Sequence, residues 1–191
     1  SSSCISIYEN NITNNWYGIW PYYSSNGIIA GNNITNNEFG TLLFFSSFIN
    51  ISGNYMAKNN IDGIWVYYSS NNSVMGNIIT ASNDDGISLE SSSNNTITSN
   101  NITESIEHGI ALYESSNNSI YGNIMTRNHF HGIIVKTSSN NSVYGNNITA
   151  NDWDGVNILD AANNKVYEYT MEKNERGISV FQSSNYNNVY E

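Results

Sequence analysis

Asp85, His108, His131 and Asp154 follow one another at intervals of 23 residues. If the chain returns to the same place once per interval, two imidazoles and two carboxylates fall on one line. That donor set suits a divalent transition metal, and imidazole beside carboxylate also suits proton transfer. Glu107, His129 and Asp84 lie next to the line in sequence. The same column contains Tyr17, Phe39, Asp62 and Arg176, so it reads first as a variable, solvent-facing turn position. A cation site at His108 and His131, with Asp85 or Asp154 contributing, is the chemical alternative.

A second group of residues suggests binding rather than catalysis. Trp20, Tyr22 and Tyr23, then Leu42, Phe44 and Phe45, then Trp65, Tyr67 and Tyr68 stand two, four and five places after Gly18, Gly40 and Gly63. The equivalent later places hold Ser88 and Glu90, Ala111 and Tyr113, Ile134 and Lys136, and Asn157 and Leu159. The repeat itself therefore does not demand aromatic rings. If the residues one and three after each glycine point inward, these side chains point out. The expected result is an aromatic patch formed by Trp20, Tyr22, Tyr23, Phe44, Phe45, Trp65, Tyr67 and Tyr68. Such a patch stacks on sugar rings or is covered by another protein surface.

The elements that position both groups follow from the period. The glycine of a Gly-Ile-x-Leu/Val pattern recurs at 18, 40, 63, 86, 109, 132, 155 and 177, in steps of 22 or 23 residues. A fixed period along a whole chain marks a repeat architecture. Aligned on these glycines, the chain shows an apolar column from Ile12 to Met171, a paired column from Ile19/Pro21 to Ile178/Val180, and a third from Ile29 to Val166. The paired column has the two-residue spacing of a strand. The chain is thus expected to be all-β, a single-stranded right-handed parallel β-helix of about eight turns, with three short strands per turn stacked about 4.8 Å apart. Two Asn columns support the stacking: Asn26, Asn71, Asn94, Asn117, Asn140, Asn163 and Asn185, interrupted by Phe48, and a second from Asn10 to Asn146. Both are read as amide ladders running from turn to turn. The leucine-rich repeat has a similar period but needs Leu-x-Leu-x-x-Asn, whereas here Asn117 comes five residues after Leu112.

Segments such as NNSVYGNNITANDWDGVNIL and NNSIYGNIMTRNHFHGIIV resemble NosD-like, or CASH-type, right-handed β-helix repeats. The resemblance covers essentially the whole chain and implies a secreted or surface protein of a kind frequent in methanogenic archaea. It also implies a family that includes carbohydrate-binding proteins and sugar hydrolases. NosD-like proteins are associated with copper delivery, but the His column lacks the Met or Cys ligands that suit Cu(I). The repeats specify the coil while function varies among members.

Six basic residues against sixteen acidic ones give a net charge of −10, which repels nucleic acid and strongly anionic polysaccharides not bridged by cations. Cys4 is the single cysteine, so no intrachain disulfide forms, and no apolar run is long enough to span a bilayer. Nine Asn-x-Ser/Thr sequons agree modestly with export, four of them in the first Asn column. Residues 1–191 are read as one β-helix domain without visible caps, a fragment of a longer protein or a unit that stacks end to end. The leading expectation is a non-enzymatic extracellular or cell-surface scaffold, adhesion or assembly module without a required cofactor. Its partner would be a glycan, a copy of itself or another domain. The alternatives are a carbohydrate-active enzyme, either polysaccharide lyase or glycoside hydrolase, and a NosD-type metal-associated periplasmic protein.

Overall fold

A circuit of 22 or 23 residues brings each strand directly beside its counterpart in the next circuit, and every strand pairing is parallel. The computed structural model describes residues 2–190 and contains three sheets, of ten, eight and eight strands. We name them by sequence. The Gly-Ile sheet includes Ile64–Tyr67, Ile87–Glu90 and Ile110–Tyr113. The Ser-x-Tyr sheet includes Ser119–Tyr121 and Ser142–Tyr144. The Asn-Ile-Thr sheet includes Asn101–Thr103 and Asn147–Thr149. The ten-stranded Ser-x-Tyr sheet carries Ser2–Ser3 and Ser6–Tyr8 end to end along Ser24–Ala30, ahead of the eight circuits.

The expected apolar columns are the core. In the Gly-Ile sheet Ile64, Ile87, Ile110, Ile133 and Val156 pair in unbroken register. Ile79, Ile102, Met125 and Ile148 do so in the Asn-Ile-Thr sheet, and Val74, Ile97, Ile120 and Val143 in the Ser-x-Tyr sheet. These side chains are shielded from solvent and fill one continuous interior. Thr41 replaces an aliphatic residue in the Gly-Ile column, and its buried Oγ1 has no hydrogen-bond partner.

Corners turn through single residues in the left-handed region, which lets short strands meet without loops. Polar ladders then satisfy the backbone groups the corners leave free. In the ladder from Asn10 to Asn146, Asn100 Oδ1 accepts from the Asn77 N–H at 3.0 Å and from Asn77 Nδ2 at 2.9 Å, while Asn100 Nδ2 donates to the Val74 carbonyl at 3.0 Å. A serine ladder through Ser46, Ser69, Ser92, Ser115 and Ser138 does the same with hydroxyl acceptors at 2.8–2.9 Å.

The other expected Asn ladder is displaced by one residue. Asn71, Asn94, Asn117 and Asn140 have φ between 58° and 59° and are exposed. The buried ladder runs through the next residue, Asn72, Asn95, Asn118, Asn141 and Asn164, each accepting from the backbone N–H one circuit earlier. The reason is conformational: the first Asn of each pair supplies the left-handed bend, which asparagine tolerates, and this swings the second amide inward. The four sequon asparagines in that column are therefore on the outside of the rod. Asn185 does not belong to the column; Tyr186, with φ of 56°, takes the bend in the last circuit.

Candidate functional site

The outer face of the Gly-Ile sheet carries both groups singled out from the sequence, end to end. Trp20, Tyr22 and Tyr23 lie on the first circuit, Phe44 and Phe45 on the second, and Trp65, Tyr67 and Tyr68 on the third. Register builds two ring ladders. Tyr22 stacks on Phe44 at 5.5 Å between centroids and Phe44 meets Tyr67 at 5.2 Å. Tyr23, Phe45 and Tyr68 stack at 4.9 and 5.1 Å, from corner residues with φ of 46–48°. Tyr17, Phe39 and Trp65 add a third row at 5.3 and 5.6 Å. Rings stacked along the rod turn their edges outward, so the ladders offer C–H edges and the phenol groups of Tyr22, Tyr23, Tyr67 and Tyr68. Trp20 remains 46% exposed and is tilted by 52° from Tyr22.

On the next circuits the outward places shrink to Ser88 and Ala111, in register with Trp65. A cleft of about 170 Å³ opens there, lined by Ile61, Asp62, Trp65, Asp84, Asp85, Ser88, Glu90 and Tyr113. One oxygen each from Asp62, Asp84 and Asp85 lies within 4.8 Å of the others, the arrangement among the described residues that could hold a cation. Asp62 and Asp85 are only 5% and 3% exposed. Burial pushes both carboxyl groups well above the usual carboxylate range. For Asp62 the charges of Asp85 and Asp84 push further the same way; for Asp85 an N–H from His108 opposes the rise. Burial also raises the Tyr113 phenol, with Asp85 adding to it.

Tyr17 and Phe39 are half-exposed and Arg176 is exposed, but from Asp62 to Asp154 the column before the glycines does not face water. Its side chains lie along the sheet and cap the next circuit: Asp62 Oδ1 accepts from the Asp85 N–H at 3.0 Å, Asp85 Oδ1 from the His108 N–H at 2.9 Å, His108 Nδ1 from the His131 N–H at 3.2 Å, and His131 Nδ1 from the Asp154 N–H at 3.2 Å. The imidazoles stack 5.1 Å apart, with Phe130 edge-on to His108 and Trp153 edge-on to His131. Those aromatic residues, which precede the next column members, account for the burial.

The structure thus stacks Asp85, His108, His131 and Asp154 as expected, but it gives both Nδ1 lone pairs to the backbone. Burial lowers His108 to about 3, helped by His131 and Lys136, and burial lowers His131 as well. Asp154 answers to Arg176 and Asn157; burial pushes it up, and those two hydrogen bonds bring it below the ordinary value. The residues grouped around Asp85 are Asp62 and Asp84 rather than the histidines. The sequence did carry a signal for this cleft: Trp65 is followed one period later by Ser88, and Asp62 precedes Asp85 in the column. A further mark is that the Asn37–Asn59 ladder changes to Ser82 and Ser105 beside the acidic loops, where both hydroxyls are buried without a partner.

The opposed shifts predict a pH signature. Asp62 and Asp85 have raised folded-state values, so their cost is small near pH 4, grows as pH rises from the unfolded value of about 3.9 toward the folded value, and persists at pH 7. His108 and His131 have lowered values, so their cost appears as pH falls below about 6.5 and grows toward the folded value. Asp85→Asn keeps an acceptor for the His108 N–H and removes a buried charge. It should raise stability at pH 7 by about 1–2 kcal/mol, or roughly 3–6 °C in Tm. That advantage should shrink toward pH 4. Thermal melts from pH 4 to 8 test this, and a variant less stable than wild type at pH 7 would contradict the strained-carboxylate account.

Known proteins agree with the fold. The sequence matches the model of the right-handed β-helix region over residues 1–148 and 85–191. A search of curated proteins gives no match. Among solved structures, the A-module of mannuronan C-5 epimerase AlgE4 from Azotobacter vinelandii superposes with a TM-score of 0.90 at 14% identity, covering 96% of this chain and 57% of that one. The periplasmic alginate epimerase AlgG gives 0.80 at 22% identity, with 96% and 51% coverage. The enzymatically active domain of bacteriophage CBA120 tailspike protein 2 gives 0.68 at 12% identity, with 97% and 37% coverage. The chain spans about half the length of the epimerase structures and about a third of the tailspike one. At these identities the likeness concerns the coil alone, and with its three parallel sheets and matched repeats the chain belongs to the right-handed β-helix family.

Proposed function

We propose that this rod is an extracellular or cell-surface scaffold that binds a polysaccharide along the outer face of its Gly-Ile sheet, without chemistry of its own. The observation that carries this reading is the run of aromatic residues over three consecutive circuits, at positions where the later circuits hold mainly non-aromatic residues, Ser88 and Glu90, Ala111, Ile134 and Lys136, Asn157 and Leu159, with single rings at Tyr113 and Phe181. Phenol groups hydrogen-bond sugar hydroxyls, and ring edges and the exposed Trp20 indole supply apolar contact. Support also comes from solved proteins of the same coil that are named alginate and mannuronan epimerases. The exposed sequons and the NosD-like repeats agree with a location outside the cytoplasm.

The test is the triple variant Trp20→Ala, Trp65→Ala, Tyr67→Ala. These rings lie outside the coil, so the β-type circular dichroism should persist and Tm should fall by less than about 5 °C, while retention on immobilised polysaccharides should drop at least tenfold. Unchanged retention rejects the surface as a glycan platform. Loss of self-association in sedimentation with retention intact assigns it to assembly instead.

A second reading, a carbohydrate-active enzyme, draws on the Asp62–Asp85 pair, since burial raises both carboxyl groups above the usual carboxylate range, the direction a general acid needs. Release of reducing ends or unsaturated sugars by wild type and not by Asp85→Asn would establish it. The metal-associated NosD-type reading has less support, because each His Nδ1 already serves a backbone N–H.

A further inference from the structure

We propose that the cleft beside Trp65 receives the protonated amine of an amino sugar, so that the rod selects polymers with free amino groups. This rests on the polysaccharide-binding reading and names its substrate class. The cleft is lined by Asp62, Asp84, Asp85 and Glu90, and no basic residue lines it. None of these four carboxylates forms an ion pair among the described residues. Asp62 lines the cleft while only 5% exposed, and its one hydrogen bond is from the Asp85 N–H to Oδ1, so no donor meets Oδ2. An uncompensated buried carboxylate is costly, and a ligand that brings positive charge relieves it.

The walls decide what kind of cation fits. Trp65 and Tyr113 bound the cleft, and one oxygen of Asp62 and one of Asp85 are already held by backbone N–H groups. A bare Ca²⁺ or Mg²⁺ ion needs six or more oxygen ligands and gains nothing from an indole. An ammonium group on a ring uses carboxylates and aromatic surface together. The volume of about 170 Å³ is smaller than the 300–1,000 Å³ of ordinary small-molecule sites, so it suits one residue of a chain and not a whole oligomer. Continuity with the aromatic face gives the rest of that chain a path over Tyr67, Phe44 and Tyr22. Uronic or sulfated sugars bring the wrong charge to this cleft and to a protein of net charge −10.

Calorimetric titration at pH 6 and about 150 mM salt, which screens diffuse attraction beyond roughly 8 Å, compares a glucosamine hexasaccharide, its fully N-acetylated counterpart and cellohexaose. The free-amine oligomer should bind at least tenfold more tightly than the other two. Asp85→Asn, still folded by its melt, should abolish that preference, and Glu168→Gln, on a distant corner, should leave it intact. Equal affinity for all three with an effect of the aromatic triple variant rejects this inference and keeps glycan binding. No binding of any oligomer rejects both. A preference that survives Asp85→Asn, or one that Glu168→Gln also removes, is surface attraction and overturns the cleft. Calcium binding lost in Asp85→Asn, with no amine preference, assigns the cleft to a metal.

Discussion

Replacing Ile110 by Asp should leave no cooperatively folded rod. Ile110 is fully buried on the fifth of eight circuits, paired with Ile87 on one side and Ile133 on the other. A carboxylate there meets aliphatic carbon, with only Ile87 and Ile133 beside it in its column. Even protonated it forfeits about 1.5–3 kcal/mol of aliphatic burial, and desolvating the acid adds several more. Against a net stability of about 5–15 kcal/mol this is enough to unfold a domain. The position aggravates the loss, because each circuit is supported only by its neighbours and a failure in the middle strips both halves of a partner. Circular dichroism should show no sharp thermal transition; a melt like that of wild type would remove this column from the core.

Gly109→Ala should be nearly as damaging although it adds one methyl group. A Cβ built on Gly109 would come within 2.6 Å of the Gly132 carbonyl oxygen, 2.7 Å of Met125 Cγ and 3.0 Å of Asn128 Nδ2. The carbonyl cannot withdraw, since it accepts the Ile110 N–H at 3.0 Å and belongs to the stack. Relief requires separating two circuits, which disturbs all three sheets. We expect a loss of about 3 kcal/mol or more, or roughly 10 °C in Tm. Gly53→Ala is the matched control: its φ is +60° and no atom lies within 4 Å, so only the left-handed strain of about 1 kcal/mol applies. Equal shifts for the two variants would show that inter-circuit contact is not what excludes side chains at Gly109.

These two variants also mark what the sequence makes legible. Periodic glycines and alternating aliphatic residues are read directly because backbone geometry dictates them: only glycine fits against the next carbonyl, and only apolar side chains fill a narrow interior. Adjacent asparagines are another matter. In Asn71-Asn72 the two residues have the same chemistry, and burial depends on which one bends the chain. The circuit that breaks the pattern holds the clue, for Phe48 is exposed and Ile49 is buried, which places the inward position second. The site was legible in part for a similar reason. Outward aromatic residues stand out against the repeat, whereas the burial of Asp62 and Asp85 depends on side chains stacking along the sheet, and composition at one position cannot reveal that when Tyr17 and Arg176 share it.

The backbone bonds between circuits all point along the rod, and this governs how it answers to load. Tension between its two ends is not shared by many bonds at once but falls on the bonds of a single circuit. A circuit of 23 residues that opens becomes about 75 Å of extended chain where roughly 4.8 Å stood before. Under pull along its axis such a rod yields coil by coil and lengthens in steps, acting as a shock absorber. Under a sideways push the three sheets brace one another and it stays stiff.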